Sequence, residues 1–188
     1  MSMRQLMLMR HAKAAPALRF GTEAEQSDHA RPLNAAGHAG AAAMRAAMLQ
    51  HGLSPDVILV SSARRTLQTL EELEPWEDIP LVEPMDLLYL ATAPAILRIL
   101  HGVSDTVRSA MVIGHNPGLH DLATSLLAGQ ATPAGSAAWR LADAFPTGAL
   151  AVFTVPRQWR DLGRDPGEVS PCRLDRFLCP RDLSEPAR

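Results

Sequence analysis

Short unbroken apolar runs alternate along this chain with segments of helical spacing. Residues 5–9, 57–60, 110–113 and 149–155 are dominated by Leu, Val, Ile, Met and Ala, the pattern of strands buried on both faces. Met7 and Met9 recur at alternate positions with Met1 and Met3, as on one face of a strand. Residues 173–178 read as a weaker strand. Three prolines interrupt 75–84, which leaves at most a short strand near 81–82. Between these runs lie helix signals. Asn34 caps a helix to about His51, ended by Gly52. Ser61 or Ser62 caps a second over 63–73. Thr92 caps a third through Leu100, stopped by Gly102. Asn116 as cap and Pro117 at the first helical position open a fourth, to about Ala128 with Gly129 as its stop. Strand and helix in alternation predict an α/β fold, a mostly parallel central sheet with helices on both faces. No repeat and no linker divides the chain, so residues 1–188 read as one domain with a loose tail from Arg181.

Composition narrows the classes. The 188 residues suffice for a sizeable core, 47% of them hydrophobic and 20% charged. A net charge of −2 and an aromatic content of 4% speak against nucleic acid or an anionic membrane as partner. Cys172 and Cys179 read as free thiols in a reducing compartment. No stretch has the length of a membrane span, and residues 6–9 are too short for a signal-peptide core, which together predict a cytoplasmic protein.

Two histidines stand where buried runs end, His11 after Arg10 and His115 before Asn116-Pro117. In an open α/β sheet, the carboxyl ends of the strands are where ligands bind. Arg65 falls in the first turn of the helix after the second strand. Arg10 and Arg65 suit a clamp on the oxygens of a phosphoryl group. Helix N-termini at Ser62 and Asn116 add partial positive charge. A neutral His11 can attack phosphorus while its other ring nitrogen donates to a carbonyl, and a protonated His115 would balance charge on the transferring group. Taken singly, each of these residues is ordinary; only in combination do they point to chemistry. His29, His38, His51, His101 and His120 show no partner pattern and read as surface or helix-end residues. Trp139 and Trp159 read as packing residues. No set of residues has metal-ligand spacing.

Leu8-Met9-Arg10-His11-Ala12 resembles the Arg-His-Gly signature of the histidine phosphatase superfamily, with alanine in the third place. Ser61 through Thr69 resembles its Ser-Pro-x-x-Arg-x-x-Gln-Thr segment, matching at Ser61, Arg65, Gln68 and Thr69, with Ser62 in place of the proline. Gly114-His115-Asn116-Pro117 resembles its second histidine motif. Asp28-His29-Ala30-Arg31-Pro32-Leu33-Asn34-Ala35-Ala36-Gly37 resembles the Arg-Pro-Leu-x-x-x-Gly segment of SixA-like phosphohistidine phosphatases. So do Phe145-Pro146-Thr147-Gly148 and Pro180-Arg181-Asp182-Leu183 near the end.

The resemblance implies a compact, phosphoglycerate mutase-like three-layer α/β/α sandwich without a large cap. It also implies a phosphatase that needs no cofactor or metal, with His11 as nucleophile. Arg10, Arg65, His115 and Asn116 would bind the phosphoryl group, and Arg31 would touch the substrate. Larger members use a carboxylic acid on the leaving oxygen; Glu83 and Asp86 stand in the corresponding region. The partner expected is a phosphohistidine-bearing protein, because an imidazole leaving group depends less on such an acid. A small phosphomonoester is the alternative substrate, and a non-catalytic phosphate-binding or scaffold module the alternative role.

Overall fold

A computed structural model describes residues 3–17, 21–127, 130–163 and 172–183. The strands are β1 (Arg4–Arg10), β2 (Val57–Ser61), β3 (Leu81–Met85), β4 (Ser109–Gly114), β5 (Leu150–Val155) and β6 (Arg173–Leu178). The helices are α1 (Glu23–Gln26), α2 (Ala35–Gln50), α3 (Arg64–Leu73), α4 (Ala93–His101), α5 (Gly118–Leu126), α6 (Ala137–Asp143) and α7 (Pro180–Leu183). The six strands form one sheet in the order β3-β2-β4-β1-β5-β6. β1, β2, β3 and β4 run parallel, and β5 is antiparallel to both its neighbours. The sheet is therefore mostly parallel, as the order of elements predicts.

Alternation along the central strands divides the core. Leu6 and Leu8 of β1 point to one face with Val57, Leu59, Ala110 and Val112, where Leu119, Leu122 and Leu126 of α5 cover them. Met7 and Met9 point to the other with Ile58, Val60, Met111 and Ile113, under Met44 and Met48 of α2 and Leu70 and Leu73 of α3. Each such side chain contributes about 1.5–3 kcal/mol by leaving water. Both faces of the inner strands are thereby sealed, and only their ends remain open to a ligand.

Several local expectations change. The cap of α2 is Asn34, whose side chain accepts from Gly37 N. Neither Ser61 nor Ser62 caps α3; its N-cap is Ala63, because Ser61 Oγ is engaged by His115 and Ser62 Oγ by His29. Asn116 does not cap α5 either: the helix starts at Gly118 after Pro117, and the Asn116 amide N–H donates to Phe145 O. The expected stop of that helix at Ala128 and Gly129 lies outside the described residues. β3 is longer than expected and accommodates Pro84, an edge position that needs no ladder donor on its open side. α6, capped by the Ser136 side chain, was not legible as a helix. Trp139 within it is 46% exposed and not a core residue, whereas Trp159 is fully buried and donates to Val107 O. Residues 180–183 form a helical turn rather than a tail, held by an Arg140–Asp182 ion pair; 184–188 lie outside the described residues. Both cysteines are buried and unbridged. Among the described residues no helix is long and apolar enough to cross a membrane.

Candidate active site

Strand order brings the two histidine segments together. β1 and β4 are neighbours with Arg10 opposite Gly114, and His11 N donates to Gly114 O across 3.1 Å. The rings of His11 and His115 consequently lie 5.2 Å apart between centroids. β2 pairs with β4 on the other side, so Ser61 and the first turn of α3 close the cluster.

Each group is held by a specific partner. His11 donates from Nδ1 to its neighbour's carbonyl, Ala12 O, at 2.7 Å. Since a carbonyl can only accept, the proton of the neutral ring sits on Nδ1 and Nε2 carries the lone pair. Burial, opposed only in part by that bond and reinforced by Arg65 and Arg10, lowers the His11 pKa to about 4. Ala12 is fixed in turn: its N–H donates to Thr69 Oγ1 at 3.0 Å. Arg65, 3% exposed, donates from Nη2 to His115 Nδ1 at 3.3 Å. His115 Nε2–H then faces Ser61 Oγ at 2.7 Å. Burial, with Arg65 next, lowers the His115 pKa to about 3, so the unliganded ring is neutral. Arg10 and Asn116 share one acceptor, Phe145 O, at 2.9 and 3.0 Å. Arg10 Nε and Asn116 Oδ1 are buried without a partner, two polar atoms available to a bound group or to water.

The expected residues are therefore not equally placed. Arg10, His11, Arg65, His115 and Asn116 converge. Arg31 reaches the cluster indirectly, through Asp28. Glu83 and Asp86 do not join it: both are exposed, and neither side chain makes a hydrogen bond or ion pair with a site residue. Glu83 sits on the edge strand β3, and Asp86 opens a 3-10 turn.

The carboxylate that does stand in the cluster is Asp28. Its Oδ2 accepts from Arg65 Nη2 at 2.9 Å and from Tyr89 OH at 2.8 Å, its Oδ1 from Arg31 Nη1 at 2.8 Å, and its backbone carbonyl from Arg65 Nη1 at 2.6 Å. Burial pushes the Asp28 pKa up, but Arg31, Tyr89 and Arg65 outweigh it and hold the group well below the usual carboxylate range. Tyr89 stands edge-on to His115 at 5.5 Å and to His29 at 4.8 Å. Sequence reasoning missed Asp28, Tyr89 and His29. The one available signal for Asp28 was its place just before Arg31-Pro32.

Two glycines make the close approaches possible. A Cβ on Gly37 would lie 2.1 Å from Lys13 O, and one on Gly118 would lie 1.8 Å from Ala91 O. The first lets α2 abut the segment after His11. The second lets the turn carrying Tyr89 abut α5 just after His115.

Comparison with known proteins agrees with this geometry. No protein-family model matches the chain. An uncharacterized protein of Mycobacterium tuberculosis is 31% identical over 159 residues, which cover 85% of this chain and 93% of that protein. The solved structure of the SixA assigned in Nakamurella multipartitia is 30% identical with a TM-score of 0.75, covering 95% of this chain and 96% of that one. The SixA assigned in Agrobacterium tumefaciens is 26% identical with a TM-score of 0.73, covering 94% and 97%. With the paired histidines at the shared edge of β1 and β4, these similarities show that the chain belongs to the SixA-like group of the histidine phosphatase superfamily.

Proposed function

We propose that this protein is a metal-independent phosphatase that dephosphorylates phosphohistidine in a signalling or phosphotransfer protein, through a phosphohistidine intermediate on His11. The observation that carries the reading is the Nδ1–H bond from His11 to Ala12 O. It leaves Nε2 as the nucleophile in a neutral ring at pH 7.

Arg10 and Arg65 bind the non-bridging oxygens, with Arg10 Nε free for that purpose. Asn116 lies beside them. The arrival of a phosphoryl dianion favours a proton on His115 Nδ1, since a nearby negative charge raises an imidazole pKa. His115 then donates to the transferring group, where charge is to be balanced. In the second step water forms the new P–O bond, and the electron pair of the breaking P–N bond returns to His11 Nε2. Both water protons depart with the phosphate product, and Arg10, Arg65 and His115 supply the positive charge that a metal supplies in other phosphoryl transfers.

The substrate class follows from what the cluster lacks. Glu83 and Asp86 are exposed and make no bond to it, and Asp28 is ionised, so among the described residues no carboxylic acid is poised to protonate an alkoxide. A ring nitrogen can leave without one. Among the described residues no inserted domain covers the site, which suits a side chain carried on a protein surface.

Phosphate release from a phosphohistidine protein and from p-nitrophenyl phosphate, each with wild type and His11→Ala, tests the reading. Strong His11-dependent preference for phosphohistidine is expected. Preference for the phosphomonoester would move the substrate to small molecules, and equal release by wild type and His11→Ala would leave a binding module. EDTA should not change the rate; inhibition reversed by zinc or magnesium would contradict metal independence.

A further inference from the structure

Asp28 spends four hydrogen bonds at the lip of the site, and the phosphoryl chemistry just described uses none of them. Arg65, the deeply buried cation of the cluster, gives two donors to it. A carboxylate beside an oxyanion site has a cost, because it weakens phosphate binding by like-charge repulsion. Something else in the reaction must favour a fixed negative charge there.

We infer that Asp28 selects phosphohistidine over phosphomonoesters by accepting a hydrogen bond from the free ring N–H of the phosphorylated imidazole. The inference rests on the proposed function and names the residue that sets its substrate class.

The electron count explains why a carboxylate suits this place. His11 Nε2 supplies the pair for the new N–P bond. The P–N bond to the substrate ring breaks, and its pair stays on that ring nitrogen. A substrate ring protonated on its other nitrogen therefore leaves as neutral imidazole, and no proton is delivered to the leaving atom. Before that step the ring is cationic, and an ionised carboxylate at its N–H stabilises the reactive form. Ala12 O holds Nδ1–H on His11; Asp28 holds the equivalent N–H on the substrate. The two rings exchange one phosphoryl group, each with its distal proton held by an acceptor. An alkoxide or phenolate leaving group has no such N–H and gains negative charge as it departs, which Asp28 opposes.

The placement agrees with this role. The rings of His11, His115, Tyr89 and His29 follow one another at 5.2, 5.5 and 4.8 Å, leading out from the nucleophile. Asp28 lies beside the outer part of this row, bonded to Tyr89, and its side chain is 45% exposed. Arg31 holds Oδ1, and Tyr89 shares Oδ2 with Arg65, so the carboxylate is positioned before substrate arrives.

Asp28→Asn in the full chain tests this. The substitution keeps the side-chain shape and the backbone carbonyl that Arg65 also uses. The ratio of kcat/KM for a phosphohistidine peptide to that for p-nitrophenyl phosphate is expected to fall about tenfold, the loss of one charge-assisted hydrogen bond. Inorganic phosphate, measured by titration calorimetry, is expected to bind severalfold tighter. An unchanged ratio, with both substrates losing the same factor, would make Asp28 a structural support for Arg65 and overturn the inference. So would phosphate binding that is unchanged or weaker. Should Asp28→Asn not fold, Tyr89→Phe removes one bond from the same carboxylate and is expected to lower the ratio in the same direction. Wild type without His11-dependent release from phosphohistidine would instead refute the proposed function, a result distinct from the ratio in the variants.

Discussion

His11 and Ala12 are joined by a bond that crosses only one residue: Nδ1–H of the ring donates to the carbonyl of the next peptide unit at 2.7 Å. This bond decides which nitrogen reacts. It predicts a neutral Nδ1–H tautomer for His11 at pH 7, observable by nitrogen-15 NMR. The acid limb of kcat/KM should follow the His11 pKa of about 4. A limb near the ordinary histidine value would show that the ring is not desolvated as described.

Stability should depend on pH with a defined sign. Both His11 and His115 have folded pKa values, about 4 and about 3, below the unfolded value of 6.5. Between those values the unfolded chain binds more protons, so acid favours unfolding. Their contribution is fully present above pH 6.5 and is lost as the pH falls through 4 toward 3. Urea midpoints measured at successive pH values should drop across that window, and His115→Gln should flatten the drop. A slope unaltered in the variant would contradict the assignment.

Arg65 binds as a fork. Arg65→Ala should lower kcat/KM by about a hundredfold or more, the scale of losing one transition-state donor. Arg65→Lys should recover only part of it, because an ammonium cannot make the bidentate contact with two phosphoryl oxygens that a guanidinium makes. Full activity in Arg65→Lys would contradict the clamp.

Thr69 links α3 to the nucleophile loop. Its hydroxyl donates to Arg65 O at 2.6 Å and accepts from Ala12 N at 3.0 Å, wholly buried. Thr69→Val keeps the shape and strands the Ala12 N–H. A loss of about 1–3 kcal/mol in unfolding free energy is expected, together with lower kcat as Ala12 O and the His11 ring lose their register. Wild-type stability in this variant would show that Ala12 N–H has another acceptor.

How far the sequence reveals the site depends on the range of the signals. β1, β2, β4 and β5 were legible because strands buried on both faces must be apolar throughout. His11, Arg10, Arg65 and His115 were legible because they follow those strands directly or open the next helix, and the sheet order then places them together. Gln68 and Thr69 matched the family pattern without a stated task; Gln68 Oε1 accepts from Leu33 N, as Thr69 accepts from Ala12 N, so both are braces between α3 and the loops that carry the site. Asp28 and Tyr89 escaped notice because they are 61 positions apart in sequence. They meet only after the loop before α2 and the turn after β3 fold over the same sheet edge. Glu83 and Asp86 were expected because they stand in the region where larger family members carry an acid, but the edge strand and the start of the turn carry both to solvent. The cap failed at Ser62 because its hydroxyl is bonded to His29, and at Asn116 because the helix starts two residues later, at Gly118.

In the proposed reaction His11 carries the phosphoryl group between substrate and water. Rapid acid-free quenching during turnover of a phosphohistidine protein, followed by mass spectrometry of the digested enzyme, reads this directly. Phosphate is expected on the peptide containing His11, stable in alkali and lost in acid, and absent from His11→Ala. Steady turnover by wild type with no phosphate on His11 at any quench time, or labelling that persists in His11→Ala, would contradict it.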